Sequence, residues 1–341
     1  MIDVLILMGG RSSEHDVSRS SAEGVLGAID RSRFHPRVVA IGRDGVWQHD
    51  GTPVALCPLS GGRAGLIALD SGAVEAVDVV FPVLHGPFGE DGTVQGLCET
   101  VGVPYVGAGV AASAVAMDKA LFKQLALQAG LPVAEAVTLT PRTWEQEGDA
   151  LRERIAALGL PVFTKPARLG SSIGITRVAT AEALDAAIRE AFLHDDLVLV
   201  ERGLSGREVE VGVLGDDELT VSPPGQIAFD ADWYDFETKY QAGRAELMIP
   251  APIPDDVAER TRELAARAYR AAGCEGMGRI DFFVTDDGQA VVSELNTIPG
   301  FTPTSAYPSL MAAAGVPYTE LVTRLIELAM ARHQRHAVLR R

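Results

Sequence analysis

Cysteine is scarce in this chain. The 341 residues include three, Cys57, Cys98 and Cys274, and no two of them form a CxxC pair. A structural zinc site built on a Cys/His cluster is therefore excluded, and free thiols in a reducing compartment are expected. No apolar run is long enough to cross a bilayer. Positive charge is in deficit, with 30 Lys and Arg against 46 Asp and Glu and a formal net charge of -16. That balance argues against a general binder of nucleic acid or of an anionic membrane, while leaving room for a local positive pocket. The Gly-Lys dipeptide is missing altogether, which excludes a P-loop of the GxxxxGK[ST] type. The start, MIDVLILMGG, has neither a basic region nor a small-residue cleavage site. It reads as a first core strand rather than a signal peptide, and a cytoplasmic protein is expected.

What is present reads as a strand–helix alternation. The length exceeds one ordinary core, so two or three domains are expected. Val4–Met8 is a continuous apolar run suited to a buried parallel strand. A helix is expected over Arg19–Ile29, and further strands at Arg37–Ile41, Val77–Leu84 and Val103–Val106. Together these give an open α/β unit, whose ligands bind beyond the carboxyl ends of the strands. Two loops lie at such ends, Gly9–Ser18 and His85–Gly92. The second carries three glycines, a histidine and two acids in its eight residues. Gly107–Ala112 resembles the GxGxxA dinucleotide fingerprint, but the residue 20 positions on from Gly107 is Leu127 where an acid is needed. A dehydrogenase is set aside on that ground, and a turn before a new helix is the preferred reading.

One helix is expected over Ser113–Gln128, a strand at Val133–Leu139, a polar connection at Thr140–Gly148 and a helix at Asp149–Leu158. A strand at Pro161–Pro166 contains Lys165, and Gly170-Ser171-Ser172-Ile173-Gly174 follows it. A loop of this kind exposes backbone N–H groups and hydroxyls to a phosphate. A helix at Ala181–Leu193 leads to strands at Leu197–Val200 and Glu208–Leu214. Trp233–Tyr240 lies in a long polar loop of the lid type, expected to order on ligand binding. A helix at Asp256–Ala272 precedes the most informative stretch, Gly278–Ser305. Here two strand-like runs flank Asp286-Asp287-Gly288, a hairpin turn signal. Alternation puts Arg279 and Asp281 on one face of the first strand, and Glu294 and Asn296 on one face of the second. If those faces coincide, two carboxylates, an amide oxygen and a guanidinium meet. Oxygen-only ligands suit Mg2+, and the arginine suits a developing negative charge. A hairpin with a solvated polar face is the plain alternative. A last helix, Tyr318–Arg332, and a frayed basic tail, His333–Arg341, close the chain.

In sequence order these motifs resemble the D-alanine–D-alanine ligases of the ATP-grasp superfamily. They are Gly9-Gly10…Glu14-His15-Asp16-Val17-Ser18, His85-Gly86…Gly89-Glu90-Asp91-Gly92, Met117-Asp118-Lys119, and Lys165-Pro166…Gly170–Gly174. Tyr234-Asp235…Lys239-Tyr240, Arg279-Ile280-Asp281 and Glu294–Thr302 complete the set. The resemblance implies an α/β protein, α+β in its ATP-binding part: an ATP-grasp fold behind an N-terminal open α/β domain. It implies domains at 1–107, 108–200 and 201–335. It also implies ATP, two Mg2+ ions with Mn2+ as a substitute, D-alanine as substrate, and a homodimer that engages neither nucleic acid nor membrane. By the same resemblance Glu14 binds the first D-alanine's ammonium and is linked through Ser171 to Tyr240. His85 lies near its carboxylate. Lys119, Lys165, Ser172, Glu201, Glu208 and Lys239 serve ATP, and Asp281, Glu294 and Asn296 bind the metal. Arg279 and the backbone at Gly300 form the oxyanion site, with Ser305 and Ala306 at the second substrate. Tyrosine at 240 favours a dipeptide over a depsipeptide. Ala306 is smaller than the family's usual residue, which suits a bulkier acceptor. Thr164 and Gly278 are minor departures. A specialised paralogue, serving antibiotic self-resistance or another acceptor, is the alternative within the family.

Overall fold

The computed structural model describes residues 1–229 and 245–339. Trp233–Tyr240, with the ordering expected of that loop, lies outside the described residues. The first sheet is built on β1 (Ile2–Gly9), which pairs in parallel with β2 (Phe34–Ile41) and with the strand Val79–Pro82. Val4, Leu5, Ile6 and Leu7 are all fully buried, as a central parallel strand covered on both faces requires. Four strands that the sequence reading did not anticipate extend the other edge: β3 (Trp47–His49), β4 (Thr52–Leu59), β5 (Arg63–Ala68) and β6 (Val74–Val77). The sheet order is β6-β5-β4-β3-β2-β1-β7, with β7 being Val79–Pro82. β3 and β6 are only three and four residues long, and Pro53 and Pro58 interrupt β4 as Gly65 interrupts β5, so neither length nor alternation marks these strands. The expected strand Val77–Leu84 is divided at Asp78, whose carboxylate accepts from the Asp3 N–H at 2.9 Å. The expected strand Val103–Val106 is only a bridge, Tyr105 to Val80.

Helix α1 (His15–Ala28) begins four residues before the expected start. Ser18, inside the helix, ties it to the sheet: the hydroxyl accepts from the Gly9 N–H at 2.8 Å and donates to the Val83 carbonyl. Helix α2 (Thr93–Val101) covers the opposite face of the sheet. The expected helix Ser113–Gln128 is two helices, α3 (Val110–Met117) and α4 (Lys119–Gln128). The break falls at Asp118, whose side chain accepts from the Ala120 and Leu121 N–H groups and so caps α4.

The second sheet is antiparallel, in the order β10-β9-β11-β8: β8 (Ala136–Leu139), β9 (Val162–Pro166), β10 (Thr176–Val178) and β11 (Val198–Arg202). The Thr140–Gly148 connection is helical, forming the first half of α5 (Pro141–Ala156). Thr140 and Thr143 form a reciprocal capping box, and proline opens the helix. A 3-10 turn, Ala181–Ala183, precedes α6 (Leu184–Ala191) in place of one continuous helix.

The third sheet contains β12 (Gly206–Leu214), β13 (Thr220–Val221), β14 (Gly225–Phe229), β15 (Ala245–Met248), β16 (Met277–Thr285) and β17 (Ala290–Asn296), with helix α7 (Asp255–Ala271) packed on it. Two helices end the chain, α8 (Ala306–Ala313) and α9 (Tyr318–Ala337). The residues expected to fray are thus helical as far as Ala337. Arg332 in this helix is buried, with its guanidinium donating to the Gly107 and Tyr105 carbonyls. One apolar cluster joins Val4, Ile6 and Phe81 of the first sheet to Met277, Phe301, Tyr307 and, on α9, Leu321 and Leu325. The two ends of the chain therefore share a core.

Candidate active site

The carboxyl end of β1 turns sharply at Gly9. Its φ is +89°, and a Cβ there would lie 2.4 Å from the Ile41 carbonyl oxygen, so only glycine fits. The turn delivers Glu14 to the N-terminus of α1, where it is buried and accepts a hydrogen bond from the Ser171 hydroxyl. Ser171 and its neighbour Ser172 both have left-handed backbones, at φ 52° and 58°. Such conformations cost about 1–3 kcal/mol each in non-glycine residues and concentrate where ligands are held. The N-terminal loop and the Gly/Ser loop, 157 residues apart in sequence, thus meet in one cleft.

His85 leaves the end of β7 and is buried. One ring nitrogen lies 2.9 Å from the Ser21 hydroxyl and the other 2.9 Å from the Ile298 carbonyl. Burial lowers its pKa, against the charge of Glu14. Glu90, in the same loop, accepts from the Gly86 and Ile298 N–H groups at 2.9 Å each. Burial, and then the charge of Glu14, push its pKa up to about 8. His85 and Glu90 therefore claim both backbone polar groups of Ile298 and fix the loop that carries Gly300. A Cβ at Gly300 would sit 2.9 Å from the Ser305 hydroxyl. Ser305 itself accepts from the Thr302 N–H at 3.0 Å, and Ala306 opens α8.

In the hairpin of β16 and β17, Phe282, Phe283 and Val284 pair with Val292, Val291 and Ala290; a register shift between Asp281 and Phe282 then sets Asp281 opposite Glu294 and Arg279 opposite Asn296, so the two faces coincide. Arg279 makes a two-pronged contact with Asp281, 2.7 Å at each prong, and lies 3.4 Å from Glu210 on β12. Burial disfavours the guanidinium, but Asp281 and Glu210 hold its pKa well above the ordinary value. The Asn296 amide donates to Asp281 at 3.0 Å, and Glu294 lies 3.3 Å from Lys119. Two carboxylates and an amide oxygen, with the acidic side chains 17% and 27% exposed, fit a hard divalent cation by donor chemistry.

Lys119 opens α4 and donates to the Leu169 carbonyl at 2.6 Å. Lys165 on β9 pairs with Glu201 on β11. Burial opposes the Lys165 ammonium, yet Glu201 raises its pKa, with smaller contributions from Glu294 and Glu208. Glu201, on β11, is buried. Lys239 and Tyr240 lie outside the described residues. Three contributors were missed in the sequence reading: Lys123, Glu210 and the clamping role of Glu90. Two had a signal there. Lys123 follows Lys119 by one helical turn, and Glu210 follows Glu208 by one strand period.

Comparison with known proteins matches this architecture along nearly its whole length. The family described as "D-ala D-ala ligase N-terminus" matches residues 3–108, and "D-ala D-ala ligase C-terminus" matches residues 125–327. The D-alanine--D-alanine ligase of Deinococcus radiodurans is 50% identical over 332 residues, 96% of this chain and 98% of that protein. The D-alanine--D-alanine ligase A of Mesorhizobium japonicum is 48% identical over 357 residues, 97% of this chain and 98% of the other. Among solved structures, the VanG D-Ala:D-Ser ligase from Enterococcus faecalis superposes with a TM-score of 0.87 at 36% identity, covering 96% of this chain and 99% of that one. The D-alanine-D-alanine ligase from Coxiella burnetii gives 0.86 at 32%, covering 98% and 96%. The three sheets and their order along the chain are thus those of an ATP-grasp ligase, and the chain belongs to the D-alanine–D-alanine ligase family.

Proposed function

We propose that the protein joins two D-alanine molecules into D-alanyl-D-alanine for peptidoglycan precursor synthesis, with ATP cleaved to ADP and phosphate. The observation that carries this reading is the hydrogen bond from Ser171 to Glu14, which sets an oriented carboxylate at the junction of the N-terminal loop and the Gly/Ser loop. Glu14 holds the ammonium of the first D-alanine, with Ser171 and Tyr240 keeping it in place, and His85 borders that substrate. Lys119, Lys165, Ser172 and Lys239 hold the phosphates, and Glu201 and Glu208 the nucleoside. Asp281, Glu294 and Asn296 would hold two Mg2+ ions, or Mn2+, which would supply charge neutralisation at the transferring phosphoryl group. The first D-alanine's carboxylate oxygen attacks the γ-phosphorus, and ADP leaves. The amine of the second D-alanine then attacks the acyl carbon and loses a proton, and phosphate departs. Arg279 and the Gly300 N–H stabilise the tetrahedral oxyanion between those events. Ser305 holds the second carboxylate beside Ala306.

We assign the substrate unit to residues 1–107 and the two ATP-grasp units to 108–200 and 201–335. A cytoplasmic homodimer without nucleic-acid or membrane partners belongs to the same reading. No helix of the described residues is long and apolar enough to cross a membrane.

The test is phosphate release from Mg-ATP with D-alanine, with L-alanine and with no amino acid, the product being identified by mass. Release that requires D-alanine and yields the dipeptide supports the reading. A mixed assay of D-alanine with D-serine or D-lactate then tests the acceptor. Preferred incorporation of either competitor would replace D-alanyl-D-alanine as the product.

A further inference from the structure

Lysine is rare here: four residues, Lys119, Lys123, Lys165 and Lys239, among the 30 lysines and arginines. Elsewhere the chain carries its positive charge on arginine. Three of the four belong to the nucleotide subsite proposed above, and the fourth, Lys123, has no role there. It is not a solvated helix residue. Its side chain is 9% exposed and ion-pairs with Glu201 through the oxygen that Lys165 does not use. Its ammonium also donates to the Ala134 carbonyl at 3.0 Å. Ala120 on the same helix packs against Leu199 of β11 and Ala167, the residue after β9, which seats this turn of α4 against the second sheet. A compact ammonium suits a position between one carboxylate oxygen and one carbonyl, where a planar guanidinium demands a wider fork of acceptors.

One carboxylate is therefore shared by two ammonium groups. Were Lys165 its only partner, the pair would be neutral. Lys165 could then turn to a phosphate only by leaving a buried anion without a counter-charge, which is costly. With Lys123 in place the trio carries one surplus positive charge. Glu201 stays paired when Lys165 moves, and repulsion between the two ammonium groups favours the move. Burial opposes the charge of Glu201, yet Lys165 and Lys123 together hold its pKa down to about 2, so the carboxylate remains ionised.

We propose that Lys123 is a positioning residue for the nucleotide subsite: by holding Glu201 through one oxygen it leaves Lys165 available to a phosphate of ATP. The inference rests on the reading above, which places ATP at Lys165. It is tested by calorimetric titration of the full-length protein with ADP, together with steady-state kinetics, on wild type, Lys123→Met, Glu201→Gln and the double variant. Lys123→Met is expected to weaken ADP binding and raise the KM for ATP by about tenfold to a hundredfold, the range typical of outer partners that orient a ligand-binding group. The KM for D-alanine should stay near the wild-type value. In the Glu201→Gln background the same substitution should cost much less, because residues acting through one another are not additive. Lys123→Gln keeps a donor for Ala134 and should show the same loss, so it replaces Lys123→Met if that variant fails to fold.

Wild-type-like ADP binding by the substituted protein would overturn the inference and leave the functional reading standing. So would an equal rise in the KM for ATP and D-alanine, or an undiminished effect in the Glu201→Gln background. Failure of the wild type to bind ADP would overturn both.

Discussion

Arg279 sits between Asp281 and Glu210, held by a two-pronged contact on one side and a 3.4 Å contact on the other. A lysine keeps the charge but cannot span both acids, so Arg279→Lys leaves the proposed oxyanion site misaligned. Its kcat is expected to fall by about 10²–10³, as on removal of an oxyanion donor, with little change in ADP affinity. Steady-state kinetics beside ADP titration checks the split. Glu90 makes a second prediction at this scale. Its carboxyl is raised in the fold from 4.5 to about 8. The unfolded chain ionises Glu90 first, so the stability attached to this shift is complete below about pH 4.5 and is lost as pH climbs through about 8. Glu90→Gln removes that titration. The difference in urea midpoint between wild type and Glu90→Gln should be flat below pH 4.5 and move in favour of the variant up to pH 8. A constant difference across the window would refute it.

Between residues and the whole molecule, the elements that carry the site are set by their ends. Asp118 interrupts what otherwise reads as one helix and aims α4, with Lys119 and Lys123, at the second sheet. Asp118→Ala removes the acceptor for two N–H groups and should lower stability by about 1 kcal/mol, read from urea denaturation, and weaken ADP binding as well. The β16–β17 hairpin was legible as two strands and a turn at Gly288, but its shared face was not: counted from the turn, a period of two would set Asp281 opposite Ser293, and the bulge between Asp281 and Phe282 is what brings Glu294 and Asn296 onto the face of Asp281 and Arg279. The same period links Glu208 to Glu210, which join the site through β12. The strands β3–β6 were not legible, because β3 and β6 are three and four residues long and Pro53, Pro58 and Gly65 break the pattern of β4 and β5, so their pairing comes from neighbours rather than from a local signal.

The whole molecule is tied at Phe301. Its ring meets Phe81 of the first sheet edge-on at 5.9 Å, lies 5.7 Å from Tyr307 and 6.4 Å from Tyr318, and is fully buried. Phe301→Ala should cost about 3–5 kcal/mol, as large cavities in cores do. Because the shared cluster joins both ends of the chain, the cost should fall on both at once. Tryptophan fluorescence and far-UV circular dichroism should shift together in urea, whereas separate transitions would show the ends to be independent. The sequence alone determined which chemistry-bearing residues exist and which loops and strand faces present them, because alternation, glycine turns and charge pattern are properties of neighbours along the chain. Only the tertiary structure decided that Ser171 meets Glu14, that Glu90 and His85 hold Ile298, that Glu210 flanks Arg279, and that Lys123 is buried against Glu201. The Glu210–Arg279 contact depends on β12 pairing with β16, and the others on how the sheets, their loops and α4 pack together; burial then converts residues that would be solvated on their own into partners.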